Sequence, residues 1–467
     1  MNDTSDTSFD TVTLQEADRH HHLHPFTDPQ ALMQAPPFMV DKAEGVFIEG
    51  QGVRLLDAMA GLGCVNIGYG NREMADAASE MMQKLSYYHS FSGISNPPAA
   101  LLSQKLASLA PGTLNKVFFA NSGSEANETI IKLVHMYWQR LGKANKRIFI
   151  SRDLAYHGST IATTALNGTA AMQEPFGIRP QGQVEHVMAP FWYRHGGNNS
   201  PDDFGLLAAR AIEDKILEIG ADNVAAFIGE PIQGSLGAVI PPDTYWPEVE
   251  RICRQYDVLL IADEVVTGFG RTGTWFAQEK FGFQADMMTL AKGLSSGYQP
   301  ISAAMISDTI AEVLSGTADV IQHGFTTSAH PVAAAVALKN IEILQREGLV
   351  DRVQQSIGPY FAKAMAGLAD HPLVGEVRTC GMICGIELAK DKQTRAQYPQ
   401  ELGLCGYVSQ AALGQGIIVR PGGNVVMLFP PLVMEESHVD ILGIGLRNAL
   451  DQVHAALVEE GMAQGQA

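Results

Sequence analysis

The sequence predicts an α/β protein with a large domain on a mostly parallel, doubly wound sheet and a smaller α+β domain made of both chain ends. Three observations predict it. The middle of the chain alternates short apolar runs with longer amphipathic stretches. The short runs are apolar at successive positions, as strands covered on both faces require. Toward both ends that alternation gives way to helices mixed with short strands. Of the 467 residues 46% are apolar and 18% charged, which supplies a large core and excludes wholesale disorder.

Taken in order, residues 1–15 (MNDTSDTSFDTVTLQ) are polar and acidic and are expected to be a flexible segment. They lack the basic and apolar stretches of a signal peptide. Residues 16–69 are expected to be the N-terminal part of the small domain. There FMVDKAEGVFIEGQGVRLLDA has the Gly turns of a hairpin. Residues 70–330 are the large domain. KVFFA (116–120), RIFIS (147–151), AAFIGEPI (225–232), DVLLIADEV (257–265) and MMTLAK (287–292) read as its strands. Between them, 124–141 places Ala126, Ile130, Ile131, Val134 and Trp138 on one helical face, and 204–219 does the same with Leu207, Ala211, Ile212 and Ile216. Residues 331–355 read as a long helix leaving that domain, and 331–467 complete the small one.

Charge and composition exclude several functions. Lysine plus arginine come to 32 against 50 acidic residues, a formal charge of −18. A nucleic-acid grip needs clustered positive charge, so none is expected. No apolar run is long enough to span a bilayer, and a cytoplasmic protein is expected. The five cysteines are Cys64, Cys253, Cys380, Cys384 and Cys405. So few, and odd in number, they read as buried thiols rather than a disulfide framework. The run HHHLHPF (20–26) has four histidines, but no acidic or cysteine partner is apparent at ligand spacing, so no metal is expected.

Chemistry is expected in the loops after the strands, where open α/β sheets bind ligands. After KVFFA comes Asn121-Ser122-Gly123-Ser124-Glu125-Ala126-Asn127 and then a helix. Ser122 and Glu125 fit a capping box. Gly123 allows close backbone approach, and the helix start presents free N–H groups, a seat for a phosphate. Asp263 ends one buried strand and needs a cationic or hydrogen-bonding partner there. Lys292 closes another, a placement that lowers a lysine pKa and suits Schiff-base chemistry. Each feature alone has a plainer reading: a helix cap, a surface carboxylate, a lysine reaching solvent.

Together, in this order, they resemble the pyridoxal-phosphate (PLP) enzymes of fold type I. SGSEAN, AYHGST, GEPIQG, ADEVVTGFGRTG, LAKGLSSG and TTSAHP are similar in order and spacing to the class III aminotransferases, from about residue 20 to about 455. LLDAMAGLGCVNIGYG and GIIVRPGGN resemble the amine:pyruvate (omega) branch. The resemblance implies that Lys292 bonds the cofactor and moves the substrate proton, and that Asp263 pairs with the pyridine nitrogen. It implies that Ser122, Gly123 and Ser124 seat the phosphate, joined by Thr326 reaching into the neighbouring subunit. It places Tyr156 and Val265 on the two ring faces, with His157 beside them and Glu230 at the polar edge. Arg420 corresponds to a mobile arginine that clamps the pyruvate carboxylate. Where some relatives carry a glutamate after GEPIQG, this chain has Ser235.

Two departures bear on substrate. The branch commonly has AGLWC, and here Ala60-Gly61-Leu62-Gly63-Cys64 lacks the indole. The usual Thr-Tyr-Ser-Gly-His-Pro is Thr-Thr-Ser-Ala-His-Pro, with Thr327 in place of tyrosine. A roomier pocket beside Leu62 and Gly63 is expected, with Tyr88 and Phe91 as the remaining aromatic wall or as interface packing. The resemblance thus implies ping-pong transfer of an amino group from an amine, bulky or long-chain ones included, to pyruvate. It also implies a homodimer with shared sites, with tetramers left open. An aminomutase, a decarboxylase, another keto-acid acceptor or a non-catalytic binding protein remain alternatives.

Overall fold

The computed structural model describes residues 10–462 apart from 179 and 181. Most of the expected 1–15 segment therefore lies outside the described residues. Its last part, from Thr11, begins a helix that runs to His21.

Three short strands follow, β1 (Lys42–Glu44), β2 (Phe47–Gly50) and β3 (Val53–Asp57), paired antiparallel in succession. They realise the expected hairpin pattern as a meander. The large domain is built on β4 (Leu114–Ala120), β5 (Ile148–Arg152), β6 (Val184–Val187), β7 (Val224–Gly229), β8 (Leu259–Asp263), β9 (Met287–Leu290) and β10 (Ser302–Ser307). These form one sheet in the order β4-β10-β9-β8-β7-β5-β6. All five sequence-read strands are present. The unforeseen pair is β6 and β10, and β10 is the one strand that runs antiparallel to its neighbours, β4 and β9. Its sequence, SAAMIS, is dominated by small residues and carries too little β-branched character to stand out.

Every residue of β7, β8, β9 and β10 is buried, because helices cover both faces. Successive residues feed opposite cores, as the strand period of two demands. Phe227 and Leu260 pack with Phe204, Ile212 and Trp246 from helices Pro201–Ile219 and Tyr245–Gln255. Ile228 and Ile261 face the other way, toward Ile130, Val134 and Trp138 of helix Gly123–Arg140.

The expected long helix over 331–355 is broken. It runs Pro331–Arg346 and stops where Gly348 takes a left-handed φ of 60° that other residues adopt at a cost. A short turn Leu349–Arg352 follows. The C-terminal part adds β11 (Val374–Cys380), β12 (Ile383–Leu388), β13 (Ile417–Ile418), β14 (Arg420–Gly422), β15 (Val425–Leu428) and helix Glu436–Glu459. The two chain ends meet as expected, since β13 pairs parallel with β3, Ile417 opposite Leu56. β14 and β15 lie in a second sheet, with Arg420 opposite Met427. All five cysteines are free; four are buried and Cys64 is partly exposed. Among the described residues no helix is long and apolar enough to cross a membrane.

Candidate active site

The parallel strands deliver their carboxyl ends to one cavity of about 160 Å³. Ser124, Tyr156, His157, Glu230, Asp263, Val265 and Lys292 line it, with Gly123 and Ser235.

At one side β4 ends at Ala120 and helix Gly123–Arg140 begins. Ser122 caps that helix, its Oγ accepting from Glu125 N at 3.2 Å. The other half of the expected capping box is shifted. The Glu125 carboxylate accepts from Asn121 N and Nδ2, at 2.7 and 2.8 Å, instead of from Ser122. The backbone N–H groups of Gly123 and Ser124 belong to the first turn, which has no carbonyl a turn earlier to receive them, and they form the positive end of the helix dipole. Close packing holds this seat open. A Cβ on Gly158, at φ 141°, would lie 2.7 Å from Ser124 Oγ, and one on Gly123 would press on the Val265 methyls at 3.2–3.3 Å.

The floor is a buried charge network. Asp263 Oδ2 accepts from Asn127 Nδ2 at 2.8 Å and lies 2.7 Å from His157 Nδ1, while its Oδ1 accepts from Val265 N at 3.1 Å. A carboxylate can only accept, so His157 Nδ1 carries a proton. His157 Nε2 is buried, has no hydrogen-bond partner, and lies 3.6 Å from Glu230 Oε2. Burial pulls the His157 pKa down, but the Glu230 and Asp263 carboxylates outweigh it, so the net shift is upward and the imidazolium is favoured. Glu230 is fixed in turn. Its Oε1 accepts from Tyr156 N at 2.9 Å, and Arg152 Nη2 lies 3.0 Å from its Oε2. Arg152 is fully buried, over the Trp246 ring at 5.3 Å.

Lys292 opens onto the same cavity at a left-handed φ of 44°, a strained value for a lysine. Desolvation lowers its pKa, with Arg420 and Arg271 adding to that effect against Cys64 and Asp263. The neutral amine, the nucleophilic form, is thereby favoured. Behind Asp263, Glu264 is fully buried and accepts from Gln278 N at 2.9 Å; burial pushes its pKa up to about 7.

Other sequence-read residues stand apart from the cavity. Ser122 is exposed and acts as the cap. Thr326 is exposed, its carbonyl accepting from Tyr87 OH at 2.7 Å. Tyr88 and Phe91 are 50% and 43% exposed. Leu62 is 59% exposed. Gly63 is buried behind the wall, and a Cβ there would meet Val266 and Phe429 at 3.8 and 3.9 Å. Those two side chains also abut Gly234 of the cavity lining. Arg420 sits on β14 and is half-buried. The ion pairs of that sheet belong to Arg378, with Glu376 and Glu387, and to Arg194, with Glu387, and Arg420 joins none among the described residues.

Sequence reasoning missed Asn127, Arg152 and Asn167. Asn127 is in SGSEAN one helical turn after Gly123, a spacing that puts it on the same face. Arg152 directly follows the apolar RIFIS run, a signal of the same kind as Asp263. Asn167 accepts from His157 N at 2.7 Å and donates to the Gly158 carbonyl, but nothing local marks it.

The residues present fit PLP: an open N–H seat for a phosphate, a buried fixed carboxylate, and a lysine biased toward its neutral form. The family model of the class III aminotransferases matches residues 30–450. A putrescine–pyruvate aminotransferase of Pseudomonas aeruginosa is 45% identical over 97% of this chain and 99% of its own. The omega transaminase of Pseudomonas jessenii, solved in complex with PMP, superposes with a TM-score of 0.93 at 39% identity, covering 97% of this chain and 100% of that one. A thermostable omega transaminase variant with a tryptophan-to-glycine replacement, engineered for asymmetric synthesis of enantiopure bulky amines, gives 0.92 at 40% identity, over 95% and 100%.

Proposed function

The chain belongs to the class III aminotransferases, PLP-dependent enzymes of fold type I, and on that premise we propose that it transfers an amino group from an amine, bulky or long-chain ones included, to pyruvate. The observation that carries the acceptor is Arg420. It is a cation without an ion-pair partner among the described residues, on the strand beside the site, and Ser235 offers no carboxylate to hold it. The Ser235 carbonyl lies 3.8 Å from where a Cβ on Gly422 would be, so that loop and β14 are neighbours. A guanidinium so placed can grip the carboxylate of pyruvate or L-alanine and swing aside for an amine that has none. The likeness to a putrescine–pyruvate aminotransferase supports the same assignment.

When bound, PLP supplies the electron sink for negative charge at the substrate carbon. The protein does the rest. Lys292, whose Nζ opens onto the cavity with a lowered pKa, would hold the cofactor and would serve as the base that moves the proton at the reacting carbon. Asp263, held by Asn127, His157 and the Val265 N–H, presents fixed negative charge to the pyridine nitrogen. Gly123 and Ser124 orient the phosphate. Tyr156, Val265 and Glu230 line the same cavity and would hold its ring. We assign the exposed rim of Thr326, Tyr88 and Phe91 to a second copy of the chain, whose surface completes the site in a homodimer. Gly63, and the relative engineered by a loss of the same kind, support room for bulky amines.

The test is a half-reaction scan. Holoenzyme is mixed with amines from small to bulky, putrescine and L-alanine, without an acceptor, while the visible cofactor band is followed. Bleaching by L-alanine and by amines lacking a carboxylate is expected. Bleaching by α-amino acids alone would overturn the amine reading, and carbon dioxide release without an acceptor would favour the decarboxylase.

A further inference from the structure

We propose that Asp18, His22 and His24 form a site for one first-row divalent ion of the Zn²⁺ type, which pins the segment Pro25–Phe26 against the cleft leading to Tyr156. The site is made by the end of a helix. Asp18 and His22 are one turn apart, so their side chains share a face. The helix ends at His21, and His22 turns extended, at φ −108° and ψ 117°. That turn swings His24 back over the same carboxylate. His22 Nδ1 lies 3.0 Å from Asp18 Oδ1, and His24 Nε2 lies 2.5 Å from Asp18 Oδ2. The two imidazole centroids are 4.2 Å apart.

One donor atom from each residue lies within 4.8 Å of the other two. Metal–ligand bonds of about 2.0–2.2 Å around a tetrahedral ion place its ligands about 3.3 Å apart, so a small shift of the side chains closes the site. Two imidazoles and a carboxylate are the donor set that zinc and its neighbours prefer, and a fourth position is left for water. Asp18 and His24 are mostly covered, at 18% and 22% side-chain exposure, whereas His22 at 57% leaves a way in. The nearby Arg19 is already paired to Glu16 and does not compete for Asp18. In the sequence the histidine run lacked an acidic partner only because Asp18 lies before it, at helical rather than adjacent spacing.

The two residues after His24 give the site a consequence. Pro25 and Phe26 line a cleft of about 1050 Å³ with Tyr156, Ser159, Ile161 and Phe176. Tyr156 lines both this cleft and the active-site cavity. Phe26 holds a left-handed φ of 50° and is 75% exposed, so little of its own packing keeps it there. An ion on His24 anchors the chain two positions before Phe26. Ion binding is independent of which amine the enzyme takes.

The test uses untagged holoenzyme, stripped with a chelator and then equilibrated with Zn²⁺, with bound metal measured by elemental analysis and titration calorimetry. One ion per chain is expected. The His22→Gln/His24→Gln pair should weaken binding at least tenfold, while His20→Gln/His21→Gln should leave it unchanged. No uptake, or equal uptake by the His22/His24 variant, would overturn the site. A Phe26→Trp reporter should change its fluorescence on adding Zn²⁺ and stay silent in the His22→Gln/His24→Gln background. A silent reporter in a chain that does bind zinc would overturn the link to the cleft.

Discussion

At the strand tips Asp263 is 3% exposed and three donors of the same chain hold it, whereas at the rim Tyr88 and Phe91 are 50% and 43% exposed and stand outside the cavity. The two regions are held in place by different means. The floor is positioned by the sheet, whose central strands β7, β8 and β9 are buried throughout, so its geometry is complete in a single chain. The rim consists of the loop carrying Tyr88 and Phe91, laced to the segment before Pro331. Ser90 Oγ donates to the Ser328 carbonyl, and Asn96 Nδ2 donates to the Ala329 carbonyl. The lacing fixes two loops to each other and leaves their apolar side chains uncovered. A floor of this kind determines chemistry, and a rim of this kind leaves substrate choice to what covers it.

The contrast can be broken first at the floor. Lys292→Ala should lower turnover by about 10²- to 10⁴-fold, the range lost with a positioned proton carrier. The cofactor should still enter its seat, as read by its absorbance in single-turnover experiments. Near-normal turnover would remove Lys292 from the chemistry.

Next is the buried pair. Arg152→Met leaves Glu230 without its cation, and removing one partner of such a pair costs about 3–5 kcal/mol. A large fall in Tm is expected, mostly restored by adding Glu230→Gln. If Arg152→Met alone leaves Tm unchanged, the floor is not braced from that side.

At Arg420, on β14 beside the floor, effects should be smaller and selective. Arg420→Ala should raise KM for pyruvate and L-alanine by about 10- to 100-fold, the worth of a lost bidentate pair, with KM for simple amines little changed. An equal rise for both substrates would make Arg420 a structural residue.

The smallest effect concerns pH. The folded chain holds the Glu264 proton more tightly than the unfolded chain, since burial raises its pKa from 4.5 to about 7. The stability this contributes is fully present below the unfolded value and is lost as pH rises through about 7. Tm should therefore fall by a few degrees between pH 5 and pH 8, and Glu264→Gln should flatten that fall. In Glu264→Gln the acceptor for Gln278 N is kept, so a pH dependence that persists would place its origin elsewhere.

The sequence by itself determined the cofactor chemistry and most of the large domain. Buried parallel strands need continuous apolar runs, and a strand-tip Asp263 or Lys292 is conspicuous at the end of one. The motif order identified the family for the same reason, since each motif is a short local segment. Tertiary structure alone decided that His157 bridges Asp263 and Glu230, that a buried Arg152 stands behind them, and that β10 enters the sheet antiparallel. It also brought Asp18 back to His24 around a helix end, and left Thr326, Tyr88 and Phe91 facing outward. Those features depend on residues distant in sequence or on loops that double back. Their energy comes from burial and charge pairing created by the fold, and no local pattern records that.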